Sequence, residues 1–261
     1  MLYLINHSPP WLLLIVFCVL TIIFMLILHK IIRSLLDKYT PGYKDTLALN
    51  IHTSISTLLA LILAFSLVQA VSTYRQAEHV VRQEAVRINN LDRLLTRYGN
   101  SEATDPIRIA LREYAQSIVT DEWPEMDEGH HSAKTEALFK PVSKGVIEMK
   151  PSNPRENSIY NEMLKLADSL ADSRNDRLDA AEFAIPSIFW MIIILMLLAK
   201  TVLSSFTERT RAADIVIGAQ MVCFAALLCL TFSFDEPLKG DAGIKPVPLI
   251  EVIEIINKRT S

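Results

Sequence analysis

The sequence predicts an all-α integral membrane protein: two transmembrane helices, a soluble helical-bundle insert, then two more transmembrane helices. Three observations predict it. Four stretches, at 11–28, 47–74, 183–199 and 215–234, contain no Asp, Glu, Lys or Arg. Each is close to or above the roughly 18 apolar residues that mark a bilayer-spanning helix. Mean hydropathy is positive at +0.27. Between the second and third stretches, residues 72–182 carry 15 basic and 20 acidic side chains, and their apolar residues recur at steps of three and four, the helical period.

Composition narrows the function classes. The chain of 261 residues is 51% hydrophobic with a net charge of −3. Neither a basic run nor a basic pI is present, so nucleic acid is not an expected partner. The lipid bilayer is. Cys18, Cys223 and Cys229 fall inside apolar stretches, where a thiol behaves as a small hydrophobe, and they are read as packing residues.

Span one covers about 10–32. No Lys or Arg precedes it, and it ends in His29 and Lys30 rather than a small-residue cleavage site. It is therefore expected to be a retained helix, not a signal peptide. Span two covers about 47–71 and is the most polar, with Asn50, His52, Thr53, Ser54, Ser56, Thr57, Ser66 and Gln69. Thr53, Thr57, Ala60 and Ala64 form one stripe at helical spacing. Small and hydroxyl residues serve close helix packing in membranes, and the same types line water in a pore. Both uses are open for this stripe.

The insert begins as a continuation of span two. Tyr74, Ala77, Val81, Ala85, Ile88, Leu91, Leu95 and Tyr98 keep the helical period, and Gly99 reads as a left-handed stop. A second helix is expected from Asp105 as cap and Pro106 in the first turn, ending at Trp123 and Pro124. A third carries Leu138, Phe139, Val142, Val146 and Ile147, interrupted at Pro141. The return helix starts with Asn153 as cap and Pro154 in the first turn. It repeats Ile159, Met163, Leu166, Leu170, Arg174, Leu178, Ala181 and Ile185, and runs straight into span three (about 183–203) with a kink at Pro186. The first and last insert helices should pack as paired stalks. Span four covers about 213–234; Gly218, Ala219, Cys223 and Ala226 read as packing. In the tail at 235–261, Pro237, Pro246 and Pro248 favour extended chain, and 250–257 reads as a short helix.

Lys and Arg near short loops set orientation. Lys30, Arg33, Lys38 and Lys44 flank the first short loop; Lys200, Arg209 and Arg211 flank the second. That bias places both short loops in the cytoplasm, and the insert and termini outside, in what would be a bacterial inner membrane.

Chemistry-bearing motifs are sparse. Asp127, Glu128, His130 and His131 lie near Asp121, Glu122 and Glu125, and adjacent His residues on a loop seldom chelate one ion, so a solvated loop without a metal is expected. Glu84, Arg87, Arg177 and Glu182 on the stalks can form ion pairs or ring charges, or simply a solvated face, where exposed pairs contribute little. Gly-x-Ser-x-Gly, His-Glu-x-x-His and a Gly-rich phosphate loop are all missing from the sequence. No catalysis and no cofactor are expected.

A family resemblance rests on short motifs in a fixed order. Span two runs into Tyr74 and Arg75, then Glu84, Ala85 and Leu91. Glu122, Trp123 and Pro124 follow, then Arg177, and Pro186 leading to Trp190. After span four come Phe234, Asp235, Glu236, Pro237, Leu238, Lys239, Gly240 and Asp241, then Ile244 and Pro246. This last piece resembles an Asp-x-Pro-Phe-x-Gly signature, with Leu238 where Phe is usual. Over nearly its whole length the chain resembles the bacterial bestrophin-like domain proteins, which implies four spans with an inserted helical domain and no established activity. Glu84, Trp123, Arg177, Pro186, Asp235, Pro237 and Gly240 are the motif residues it singles out. Bestrophins themselves are oligomeric anion channels in which span two lines the pore. The resemblance thus implies a homo-oligomer with Thr53, Thr57, Ala60 and Ala64 as wall residues. Two features depart from bestrophins: their helical domain and termini are cytoplasmic, and they carry an aromatic cluster in span two, where this chain has Phe65 alone. The expected function is an oligomeric, channel-like pore for ions, anions by resemblance. The alternative is a membrane-anchored sensor or scaffold acting through the insert.

Overall fold

The computed structural model describes residues 10–39, 46–127, 129–206, 210–239 and 243–260. Those residues form helices and connecting turns: α1 (Pro10–Tyr39), α2 (Thr46–Tyr98), α3 (Ser101–Ser117), a π-helical turn (Ile118–Glu122), α4 (Trp123–Asp127), α5 (Ala133–Glu148), α6 (Pro154–Ala181), α7 (Ser187–Ser204), α8 (Arg211–Ser233) and α9 (Val247–Thr260). Four of them, α1, α2, α7 and α8, are long and apolar enough to cross a bilayer. The chain divides into a membrane unit (1–72 and 184–235) and an insert unit (73–183 and 236–261). The tail that the sequence sets apart at 235–261 shares the second unit with the insert.

In the membrane unit, α1 packs against α8 and α7. Met25, Leu59, Leu63, Ile193, Leu197, Ile217, Met221, Phe224 and Leu228 form its core. Phe17 stacks on Phe232 at 5.2 Å between ring centroids, and Trp190 meets Phe232 edge-on. Large apolar side chains point outward all along the spans: Phe65 is 67% exposed, Leu195 65% and Ile215 71%. Such a surface suits lipid, since water would make it an aggregation site.

The insert unit has a larger core. Residue pairs joining α2 to α6 show their direction. Tyr98 donates to Glu156, Arg87 to Ser169 and Ser173, and Arg177 to Glu84. One number rises as the other falls, so the two stalk helices are antiparallel. Their apolar stripes (Ala77, Val81, Ile88, Leu91 and Leu95 on α2; Met163, Ala167 and Leu170 on α6) are buried together with Leu111, Tyr114, Val142 and Val146. α3 and α5 approach closely because position 145 is glycine; a Cβ there would stand 2.7 Å from the Ile107 side chain. α9 buries Leu249, Val252 and Ile256 in the same core, and Arg259 reaches Asp92 at 2.9 Å.

Helix ends differ from the sequence reading in five places, one of them in the tail, where α9 starts at Val247 and takes Pro248, read as extended chain, into its first turn. α2 does stop at Gly99, which has φ +87°. The next helix, however, is capped by Asn100, whose side chain accepts from the Ala103 N–H, and Pro106 lies inside it. Asp105 is therefore not the cap. The chain does not end its helix at Trp123 and Pro124: the π turn passes into α4, and Pro124 occupies the new segment's first turn, where a missing N–H is tolerated. α5 runs through Pro141 without interruption. Finally, α6 ends at Ala181 and residues 182–186 are non-helical, so it does not run straight into span three. Pro186 precedes Ser187 at the start of α7 instead of kinking a continuous helix.

Candidate functional site

Span two's stripe lies at one edge of α2's buried face. On α2, His52, Ser56, Leu59, Leu63, Ser66 and Ala70 face inward at steps of four and three. Thr53, Thr57 and Ala64 are exposed and Ala60 is half-buried. The Thr57 hydroxyl donates to the Thr53 carbonyl at 3.0 Å and Ser56 to the His52 carbonyl at 2.7 Å. These internal bonds let hydroxyls sit in an apolar helix without orphaned donors. An open groove of about 880 Å³ runs between α2 and α8, bordered by His52, Thr53, Thr57, Ala60, Gln220 and Phe224 among others. Toward the short-loop end the interior turns polar. His29 Nδ1 meets the Ser204 hydroxyl at 2.9 Å inside, and at the surface Arg33 pairs with Asp214 at 2.9 Å. Lys200, read from sequence as a short-loop cation, instead lies inside α7 at 1% exposure, with Nζ 4.7 Å from the Phe224 ring centroid.

The insert holds a second cluster, and here Glu84 and Arg177 form a buried ion pair rather than a solvated stalk face. Glu84 on α2, Arg177 on α6 and Glu122 at the end of the π turn are each 0% exposed. Arg177 Nε donates to Glu84 and its Nη2 to Glu122, both at 2.5 Å. Arg174 takes the other Glu122 oxygen at 2.6 Å, and Tyr114 donates to Glu84 at 3.0 Å. Two carboxylates and two guanidiniums make the cluster neutral. Burial disfavours the Arg177 charge, but the carboxylates of Glu84 and Glu122 outweigh it and raise the pKa. Burial, then the Glu84 charge, pushes the Tyr114 phenol well above its ordinary range. Glu122 thus leaves the acidic loop in which the sequence placed it. The π turn brings this about: its extra residue rotates the helix so that Glu122 points into the bundle.

The acidic stretch is not a loop over most of its length, because Asp121 lies in the π turn and Glu125 and Asp127 in α4; the non-helical part at His130 and His131 is exposed. Asp121 pairs with Lys134 at 2.8 Å and His131 lies 3.9 Å from Glu182 on the surface. Trp123 is half-buried against the insert core. Glu182 and Pro186 are exposed. Asp235 accepts from the Ile185 N–H at 2.6 Å and from Trp190 Nε1 at 3.0 Å. It thereby ties the entrance of α7 to the exit of α8. Pro237 is buried, and its carbonyl accepts from the Ile244 N–H at 2.8 Å. Gly240, Glu128, Lys44 and Arg209 lie outside the described residues.

The described motif residues therefore scatter: Glu84 and Arg177 meet in one ion cluster, Trp123 packs on the insert core, Pro186 precedes α7, Asp235 joins the start of α7 to the end of α8, and Pro237 is buried just beyond. Sequence reasoning missed Glu122, Arg174 and Tyr114 as partners. A signal existed, because Glu84, Arg174 and Arg177 fall within or beside the buried stripes of their helices.

Four helices long and apolar enough to cross a bilayer, with a helical insert between the second and third in sequence, define an all-α integral membrane protein. A bestrophin-like domain family model matches residues 15–249, and the chain belongs to that family. Among solved structures, one variant of a bacterial bestrophin homologue from Klebsiella pneumoniae is 12% identical, covering 95% of this chain and 99% of its own, with a TM-score of 0.73. Another variant of that homologue is 14% identical over 92% and 98%, at 0.71. A crystal structure described as a membrane protein is 17% identical over 94% and 96%, at 0.69. At these identities the likeness speaks to the fold. No curated relative matches the sequence.

Proposed function

We propose that the protein is an oligomeric, channel-like pore for small ions, with anions the favoured class, in which α2 lines the central axis. The observation that carries this reading is the exposed part of the α2 stripe. Thr53, Thr57 and Ala64 turn away from the protomer's own core, so they are not needed for packing within it. A single four-span protomer has too few helices to enclose a wide path, and a ring of copies would bring these small positions around one axis. Membership in the bestrophin-like family supports the same reading. The proposed orientation keeps the short loops cytoplasmic and the insert outside.

Reconstitution tests it. The purified protein in lipid should form closed rings of several copies and pass ions in liposomes. Thr57→Arg should block flux or change its selectivity while the ring still assembles. A monodisperse monomer without flux would refute the proposal. A reproducible foreign protein crosslinked to the insert in cells, with no self-crosslinks, would favour the scaffold instead.

A further inference from the structure

The membrane unit buries two nitrogen-bearing side chains, His52 and Lys200, and leaves the His52 ring nitrogen Nε2 without a hydrogen-bond partner among the described residues. His52 is 8% exposed and borders the groove between α2 and α8. Its Nε2 is enclosed and has no hydrogen-bond partner among the described residues. Lys200, 1% exposed, presents its ammonium to the ring of Phe224, another residue of the groove wall. No carboxylate among the described residues pairs with it. Asp214, the acidic residue at the start of α8, is held by Arg33. His29 and His52 both lie within electrostatic reach of Lys200.

A buried polar nitrogen without a partner is uncommon in folded proteins and calls for an unseen one. An ionisable side chain inside a membrane span points to a functional site. The groove's chemistry says what that partner would be. The Ser56 and Thr57 hydroxyls already spend their single protons on the helix backbone. Groups that can donate at the groove wall include the Gln220 amide and, in one ring tautomer, His52 Nε2; the Lys200 ammonium lies behind Phe224, outside the lining itself. That set offers hydrogen-bond donors and positive charge, with no negative group to hold a cation.

We infer that the groove between α2 and α8 binds a small inorganic anion, with Lys200 supplying the charge and His52 the direct hydrogen bond. Each protomer would carry its own site. The inference does not depend on conduction: the site can bind in a protein that passes no ions, and a conducting ring can lack the site.

Iodide is the probe, with the full-length protein purified in detergent. At constant ionic strength, replacing gluconate with iodide should raise the thermal unfolding temperature saturably. Lys200→Met should lose that response, and His52→Phe should weaken it. Lys200→Met removes a buried unpaired charge and should fold at least as well as the parent in gluconate. If Lys200 were only a packing staple on Phe224, the variant would be less stable in gluconate and keep its iodide response, and the inference would fall. Anomalous scattering from iodide-soaked crystals of the unaltered protein gives a decision independent of any variant. A peak beside His52 between α2 and α8 supports the site. An empty groove, or one filled by a co-purified lipid, overturns it. Iodide binding without flux would leave the site standing and the pore proposal refuted; flux without binding would do the reverse.

Discussion

Arg177 touches two carboxylates that come from distant parts of the chain, and its removal would leave both buried near each other with Arg174 on one side only. Breaking a buried pair by taking away one partner costs about 3–5 kcal/mol. Arg177→Met should destabilise the insert by about that much in denaturant unfolding, and Tyr114→Phe by about 1–3 kcal/mol through the orphaned Glu84 oxygen. Equal, small losses for both would show the cluster to be more solvated than its burial implies. A second residue-scale prediction concerns the start of α6. The Ser152 N–H and hydroxyl and the Asn153 amide donate to Glu156, while Asn153 accepts from the Glu156 N–H. The backbone bond from Ser152, then its hydroxyl, holds the Glu156 carboxyl below the usual range. A depressed folded pKa gives stability that is full above the ordinary carboxylate value and lost as pH falls through the folded one. Amide exchange at 154–158 should therefore quicken on acidification through that window, and Glu156→Gln should flatten the dependence. Part of this was legible in sequence. Asn153 and Pro154 mark the helix start, whereas the ion cluster was hidden because Glu84 and Glu122 lie 38 residues apart and meet only through helix phase.

At the scale of elements, prolines were the chief source of misreading. Pro106, Pro124 and Pro141 each remove a backbone donor, which argues for a helix boundary. Yet Pro106 and Pro141 sit within helices whose inner faces are packed between neighbours, and tertiary burial outweighs one lost hydrogen bond. Pro186 reads the other way: its chain does break, because residues 182–186 leave the helix before α7 begins. The hydropathy of the four spans, by contrast, was plain from their uncharged length. α9 was legible as a short helix, and the tail could be read either as a simple span terminator or as a clamp against the stalk; an amphipathic stripe of Leu249, Val252 and Ile256 does not by itself choose. Its burial makes a prediction. Leu249 is 0% exposed, and Leu249→Ala should cost about 2–5 kcal/mol in insert stability, although the residue lies 67 positions beyond Glu182 in sequence. A neutral result in thermal unfolding would mean that α9 packs loosely.

For the whole molecule, sidedness is the property on which charge and kinship disagree. The short-loop cations argue for an outward insert, and Lys200 no longer counts among them because it is buried in α7. The remaining bias rests on Lys30, Arg33, Lys38, Lys44, Arg209 and Arg211. His131→Cys should be labelled by an impermeant maleimide in intact spheroplasts; protection until lysis would reverse the orientation. The three native cysteines all lie within the spans, and because Cys223 is exposed beside the α2–α8 groove the labelling is run with Cys223 replaced. The candidate pore stripe could be named from spacing alone, but its exposure depends on which face of α2 the other spans cover, and small residues on several faces do not tell that in sequence. The placement of α9 also sets a timetable for synthesis. The insert's chain is complete at residue 183, yet the residues that finish its core end at 256. At about 5–20 residues per second, the half-built insert waits roughly 4–15 seconds with part of its apolar face uncovered. During that interval the ribosome delivers two membrane spans. A chain stopped just after α8 would therefore hold every span and still lack a finished soluble domain, which makes such truncations targets for chaperones and proteases before any question of activity arises.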